Sequence, residues 1–468
     1  MPPTAVAGRI SAMRLKFLLV TALAASFVTA GAASAAPNPL ENAHPCAGQP
    51  GFTCATLKVP LDHTGRVPGT LDLQVATGDN TDAPKGVLLF LTGGPGQPGA
   101  SAIKGITSRL PEVAKDYRFA MIDQRGTGEF GAIRCPGLQA QVGSSDIITA
   151  TPEAIDECSG LLGKTAGLYN TDQNVADFDQ LRQALGVPKM VVDGVSYGSF
   201  SAARYAIAHP DRVSKVVLDS VLPHHQSAAD TLYLKGLQAQ ARVLRDACTV
   251  APACGFDPAD DLAAVVRNSS TADGVRIFDM IVSYEFEDPT YRSADAGDLI
   301  GSLHQARGGD RSKLDALLAA FKPGGDNVLR YSAGLHAATV CTDLRFPWGD
   351  AGSPSWLRQP SIGLTEHLLP AHATWPYTAR VAVNQYFVQT CARWPRVRPA
   401  SNPAAELPNV PVLLLNGDRD LSTPLEWAQQ EAAAAPTGKL VVVPGASHSI
   451  QNRERGHAGR DALIDFLR

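Results

Sequence analysis

The sequence predicts an α/β fold: a mostly parallel sheet flanked by helices, with a large helical lid inserted before the last two strands. Three observations carry this. Short, uniformly apolar runs (Gly86 to Leu91, Phe119 to Ile122, Val216 to Leu218, Val412 to Leu415) are separated by stretches of helical spacing, as expected of strands buried on both faces. One further run, Met190 to Val192, passes through a tight glycine-flanked turn straight into a helix. From Leu222 to about Pro403 the buried-strand runs stop and the texture becomes helical, broken by Gly-Pro loops; strand patterns then resume.

Taken in order, residues 1–36 read as a targeting segment. Arg9, Arg14 and Lys16 form a basic start, Phe17 to Ala30 an apolar stretch, and Ala33-Ser34-Ala35-Ala36 a small-residue cleavage site. The apolar stretch is too short and too rich in alanine, serine and threonine to span a membrane. The first cysteine, Cys46, lies too far on to take a lipid. The expectation is an exported protein with no stable membrane anchor. Next, ATLKVPLDH and GTLDLQVATGD alternate apolar with polar residues around a Gly-Pro-rich turn, which predicts an antiparallel pair at a sheet edge. Asp177 to Gly186 places Phe178, Leu181 and Leu185 at helical spacing ahead of a glycine stop, and Asp461 to Leu467 makes a closing helix. The predicted organisation is a core of 37–221 and 404–468 carrying a lid of 222–403.

The turn after Met190 to Val192 holds Gly194, Ser196 and Gly198, the G-x-S-x-G pattern between a strand and a helix. So sharp a turn lifts the serine hydroxyl off the sheet edge, and the helix that begins there aims N–H groups at developing negative charge. An ordinary serine in a glycine-lined turn is the bland alternative, and the flanking strand and helix argue against it. Two later strands end in the groups such a serine needs: VLLLNGDRDLSTP carries Asp418 and Asp420, and VVVPGASHSI carries His448. Asp420 is the choice of acid because the loop must carry it beyond the sheet edge to an imidazole; Asp418 is assigned to bracing the turn. His457 lies in an Arg-rich approach to the last helix and is the weaker base.

Composition narrows the partners. The net charge of −4, with no basic block and no aromatic-basic interleaving, excludes nucleic acid as a natural ligand. Eight cysteines in an exported chain form disulfides rather than a metal site, since none makes a C-x-x-C pair and no histidine stands at zinc-site spacing. Near-neighbour pairing predicts Cys46–Cys54, Cys135–Cys158, Cys248–Cys254 and Cys341–Cys391.

Together these motifs resemble the secreted tripeptidyl aminopeptidases and their proline-iminopeptidase relatives, serine peptidases of the α/β-hydrolase fold. The resemblance runs from about Cys54 to the C-terminus. TGGPG at Thr92 to Gly96 is similar to the family's HGGPG loop, and DQRGTG at Asp123 to Gly128 to its D-x-R-G-x-G turn. Tyr169-Asn170-Thr171 with DFDQLRQALG resembles the segment that precedes the family's serine turn. Cys341-Thr342-Asp343 and Cys391 to Pro395 resemble its paired cysteine motifs, and GDRDLSTP its acid loop. Thr92 departs from the pattern, where the family usually has histidine, and the bracing of that loop is what the change touches.

The resemblance implies acyl transfer by Ser196, His448 and Asp420, with the N–H groups of Tyr197, Gly93 and Gly94 holding the oxyanion, and no metal or cofactor. The implied substrates are peptides with a free N-terminus. Recognition of that ammonium calls for a carboxylate in a restricted pocket, and the lid offers Glu285, Glu287, Asp288 and Asp343. A carboxylesterase or lipase would use the same triad. A dehalogenase or epoxide hydrolase needs aspartate in place of Ser196, and a silent binding protein would normally have lost a triad member.

Overall fold

The computed structural model describes residues 39–142, 147–250, 254–284, 294–321 and 324–468, with backbone alone at 250 and 294–298. The predicted targeting segment lies outside them. The described residues fall in a single unit.

Nine strands form one sheet: β1 (Glu41–Pro45), β2 (Phe52–Pro60), β3 (Thr70–Gly78), β4 (Val87–Leu91), β5 (Arg118–Ile122), β6 (Met190–Val195), β7 (Val213–Asp219), β8 (Val412–Gly417) and β9 (Gly438–Val443), in the order β1-β2-β3-β5-β4-β6-β7-β8-β9. β1, β2 and β3 are antiparallel, with β2 and β3 in continuous register from Phe52–Gly78 to Pro60–Thr70. From β5 to β9 all neighbours are parallel.

The all-apolar runs give central strands because each residue faces a packed layer. Val87, Leu89 and Leu91 of β4 enter one hydrophobic cluster and Leu88 and Phe90 the opposite one. β8 divides the same way, Val412 and Leu414 against Leu413 and Leu415. Two edges differ from expectation. The predicted antiparallel pair is not the rim: β1 pairs outside β2 and is joined to it by Cys46–Cys54. β1 (ENAHP) is exposed throughout, so no apolar alternation marks it and pairing alone makes it a strand. At the other edge β9, though apolar in sequence, leaves Val442 37% exposed.

Between β7 and β8 the described residues form helices joined by loops, with one isolated bridge, Phe346–Gly349, and no strand. Their core is a third hydrophobic cluster, which also takes in Ile133, Cys135, Ile155, Cys158 and Ala166 from before β6. The helical layer is therefore assembled from two stretches of chain. Four disulfides close, Cys46–Cys54, Cys135–Cys158, Cys248–Cys254 and Cys341–Cys391, and no described cysteine is free. No helix among the described residues is long and apolar enough to cross a membrane.

Strand order reverses between β4 and β6, and the carboxyl ends of strands around such a reversal are where α/β sheets open a crevice. β4 delivers the loop from Thr92, and β6 delivers Ser196.

Candidate active site

Ser196 follows β6 and caps the helix Tyr197–Ala208 with φ +60° and ψ −126°. A non-glycine residue holds such a backbone only when its surroundings enforce it. A Cβ at Gly194 would lie 2.1 Å from the Gly198 carbonyl oxygen, and one at Gly198 would lie 2.3 Å from that of Leu91. The turn closes because those positions carry hydrogen only. Ser196 N–H donates to the Asp219 carbonyl at 2.9 Å, and the N–H and hydroxyl of Ser199 both donate to the Ser196 carbonyl.

The loop after β4 runs against this serine. A Cβ on Gly93 would sit 2.8 Å from Ser196 Cβ and 3.3 Å from Oγ, so backbone reaches the nucleophile where a side chain could not. Tyr197 N–H is the first of its helix and has no intrahelical carbonyl to take it. Thr92 braces the loop from within, its hydroxyl donating to the Gln97 carbonyl at 3.0 Å, while Gln124 Nε2 donates to the Thr92 carbonyl at 3.1 Å. Asp123 accepts from Gly99 and Ala100 N–H at 2.9 and 2.8 Å. Burial pushes that carboxyl up to about 6, against the pull of those two hydrogen bonds.

His448 Nδ1 lies 2.9 Å from Asp420 Oδ2. Asp420 is fully buried and held by Ser422 N–H, Thr423 N–H and the Thr423 hydroxyl at 2.8–2.9 Å. Asp418 takes a different place: it accepts Gly445 N–H at 2.8 Å, pinning the loops that follow β8 and β9, and half-burial raises its pKa. His457 is exposed beside Arg460.

The loop behind His448 is anchored by residues that the sequence did not mark. Ser449 has φ +69° and donates its N–H to Ser220 Oγ at 2.6 Å. Ile450 and Gln451 N–H donate to the two oxygens of Asp219 at 3.0 and 2.8 Å. Asp219 ends β7, fully buried, and burial raises it to about 6. Its place at a strand end was visible; its reach to a segment more than two hundred residues later was not.

These elements meet on one cavity of about 980 Å³, whose wall includes Ser196, His448, Gly93, Gly94 and Tyr197. Tyr233, Phe387 and Trp427 add an aromatic side: the Tyr233 ring lies edge-on to Trp427 at 4.9 Å and stacks toward Phe387 at 6.2 Å. Of the four carboxylates assigned to ammonium recognition, Glu285, Glu287 and Asp288 lie outside the described residues. Asp343 needs correction. It is 1% exposed and turned away from the cavity, because Thr171 N–H (3.2 and 3.1 Å), the Thr171 hydroxyl (2.7 Å) and the Tyr197 hydroxyl all donate to it. It fastens the helix Ala333–Asp343 to the residue beside Ser196. No group of histidine, cysteine and acidic residues among the described ones could hold a metal.

Comparison with known proteins finds similarity to α/β hydrolases and to peptidases. A family model described as the alpha/beta hydrolase fold matches residues 86–268, and one described as TAP-like protein matches 376–468. The tripeptidyl aminopeptidase of Streptomyces coelicolor is 24% identical over 429 residues, covering 80% of this chain and 73% of the relative. The serine protease Hip1 of Mycobacterium tuberculosis is 30% identical over 233 residues, 45% of this chain and 44% of its own. The proline iminopeptidase of Neisseria gonorrhoeae is 31% identical over 139 residues, 30% of this chain and 34% of its own.

Proposed function

We propose, on the premise that this chain belongs to the α/β-hydrolase family and to its tripeptidyl aminopeptidase-like branch, that it is an exported serine exopeptidase releasing short peptides, tripeptides above all, from free N-termini. The observation that carries the reading is that His448, held by the buried Asp420, lines the same cavity as Ser196, itself on a strained turn with Gly93 packed against it. The four disulfides support export into an oxidising compartment.

In this mechanism Ser196 Oγ attacks the scissile carbonyl while His448 takes its proton and passes it to the leaving amine. Asp420 fixes the ring and stabilises the imidazolium. The N–H groups of Tyr197, Gly93 and Gly94 bind the oxyanion, each such donor contributing about 3–4 kcal/mol to the transition state. Water, activated by His448, then frees the acyl peptide. The helical stretch 222–403 acts as the lid that narrows the cavity around an N-terminal segment.

One plate tests it: free and N-acetylated mono-, di- and tripeptide anilides beside short-chain nitrophenyl esters. The free tripeptide anilide is expected to exceed its blocked twin and the shorter anilides, because remote residues supply binding energy used at the reacting bond. Equal rates for free and blocked peptides would sink the exopeptidase reading in favour of an esterase.

A further inference from the structure

Among the described residues only two carboxylates line the cavity, Asp230 and Asp326. They differ in setting. Asp326 is half-buried in a loop, and its Oδ1 accepts the neighbouring Asn327 N–H at 2.6 Å. Asp230, on the helix Ala228–Thr231, is 5% exposed. Its Oδ2 accepts the Ser227 N–H and hydroxyl at 2.9 and 2.6 Å. Among the described residues its Oδ1 has no hydrogen-bond donor and no cation pairs with the group. Arg109, Arg330 and Arg453 line the same cavity, but none of them pairs with Asp230. A carboxylate so largely buried and left without an ion-pair partner is costly by itself, and a ligand that brings the cation removes that cost.

The position fits an acyl-side subsite. Three residues on, the Tyr233 hydroxyl donates to the carbonyl of Ser422, two residues from Asp420, so this segment is fastened to the acid loop. The Tyr233, Phe387 and Trp427 rings line the same cavity, and aromatic faces favour an ammonium. We propose that Asp230 binds the α-ammonium of the substrate and thereby sets the requirement for a free N-terminus. The proposal rests on the exopeptidase reading and gives it a residue. The ammonium completes an ion pair in a partly desolvated pocket, and the chain length from that ammonium to the scissile carbonyl sets how many residues leave together.

The test compares a tripeptide p-nitroanilide with its N-acetylated twin. Asp230→Asn keeps an acceptor for Ser227 and removes only the charge, so the free-to-blocked ratio of kcat/KM is expected to fall roughly 30-fold or more. Asp230→Glu restores the charge and is expected to recover part of the ratio. Asp326→Asn is the comparison and is expected to leave the ratio intact. Fluorophosphonate labelling of Ser196 reports that each variant is folded; if Asp230→Asn is not, Asp230→Glu decides, since a carboxylate displaced by one methylene is expected to lower the free-to-blocked ratio and an unchanged ratio overturns the assignment. In the pH profile the substrate ammonium, with a pKa of about 8, gives kcat/KM an alkaline limb in the wild type that Asp230→Glu retains and Asp230→Asn loses. A wild-type ratio near one overturns the exopeptidase reading itself. A large wild-type ratio that survives Asp230→Asn, or collapses in Asp326→Asn instead, overturns the assignment to Asp230 alone.

Discussion

Ser196 holds φ +60° at a cost on the order of 1–3 kcal/mol, and the structure around it supplies the compensation. Its N–H, its carbonyl and the following tyrosine are each tied to a different element: Asp219 of β7, Ser199 of its own helix, and Asp343 of an inserted helix. Replacing Ser196 by alanine leaves these ties in place. The variant is expected to fold with an unchanged melting temperature and to lose turnover on the order of 10⁴-fold or more. Retention of more than a tenth of wild-type turnover would move the nucleophile elsewhere. The elbow was legible because a close glycine pair and a strand-to-helix change are local features. Asp343 was not: the sequence shows a carboxylate beside Cys341, and only the fold brings Thr171, 172 positions earlier, onto it.

At the scale of elements, β4, β6 and β8 declared themselves through runs that stay apolar because both faces are packed, and the candidate triad followed from the carboxyl ends of β6, β8 and β9. β1 has no such run, and Asp230 sits on a four-residue helix whose place on the cavity wall comes from tertiary packing. The inserted helices are coupled to the elbow through Cys341–Cys391, which joins the helices Ala333–Asp343 and Tyr386–Arg393 and spans 50 positions, against six for Cys248–Cys254. Closing the longer loop restricts the unfolded chain more. Serine at both 341 and 391 is therefore expected to cost about 4 kcal/mol in denaturant unfolding, and more than serine at 248 and 254. Turnover is expected to fall with it, because Asp343 lies two residues from Cys341 and holds Tyr197. Equal stability losses for the two bridges, with turnover untouched, would contradict this coupling.

For the whole molecule, acid is expected to remove activity before it removes the fold. Asp123, Asp219 and Asp343 are each raised to about 6 by burial, and each holds a different part of the site: the loop after Gly93, the loop after His448, and Tyr197. A carboxyl whose folded pKa lies above its unfolded value of 3.8 binds its proton more tightly when folded. Its contribution to stability is thus fully present below about 4 and is lost as pH rises through 6. Asp193 and Asp279, raised well above the ordinary value by burial, act with the same sign. Asp62 and Asp179, lowered to about 2, are stabilising above about 4 and lose that contribution only as pH falls toward 2. His209, lowered by burial, works against the fold in acid, but it is one ring against several carboxylates. Between pH 6.5 and 4.5 the melting temperature is therefore expected to hold or rise. Over the same range kcat/KM is expected to fall, first because a histidine base must be neutral and an ordinary imidazole titrates near 6.5. The three carboxyls then each lose part of their accepting capacity, so the acid limb should be steeper than one proton. Calorimetry beside pH–rate profiles on one buffer series decides it: a melting temperature that drops in step with activity from pH 6.5 would refute the separation.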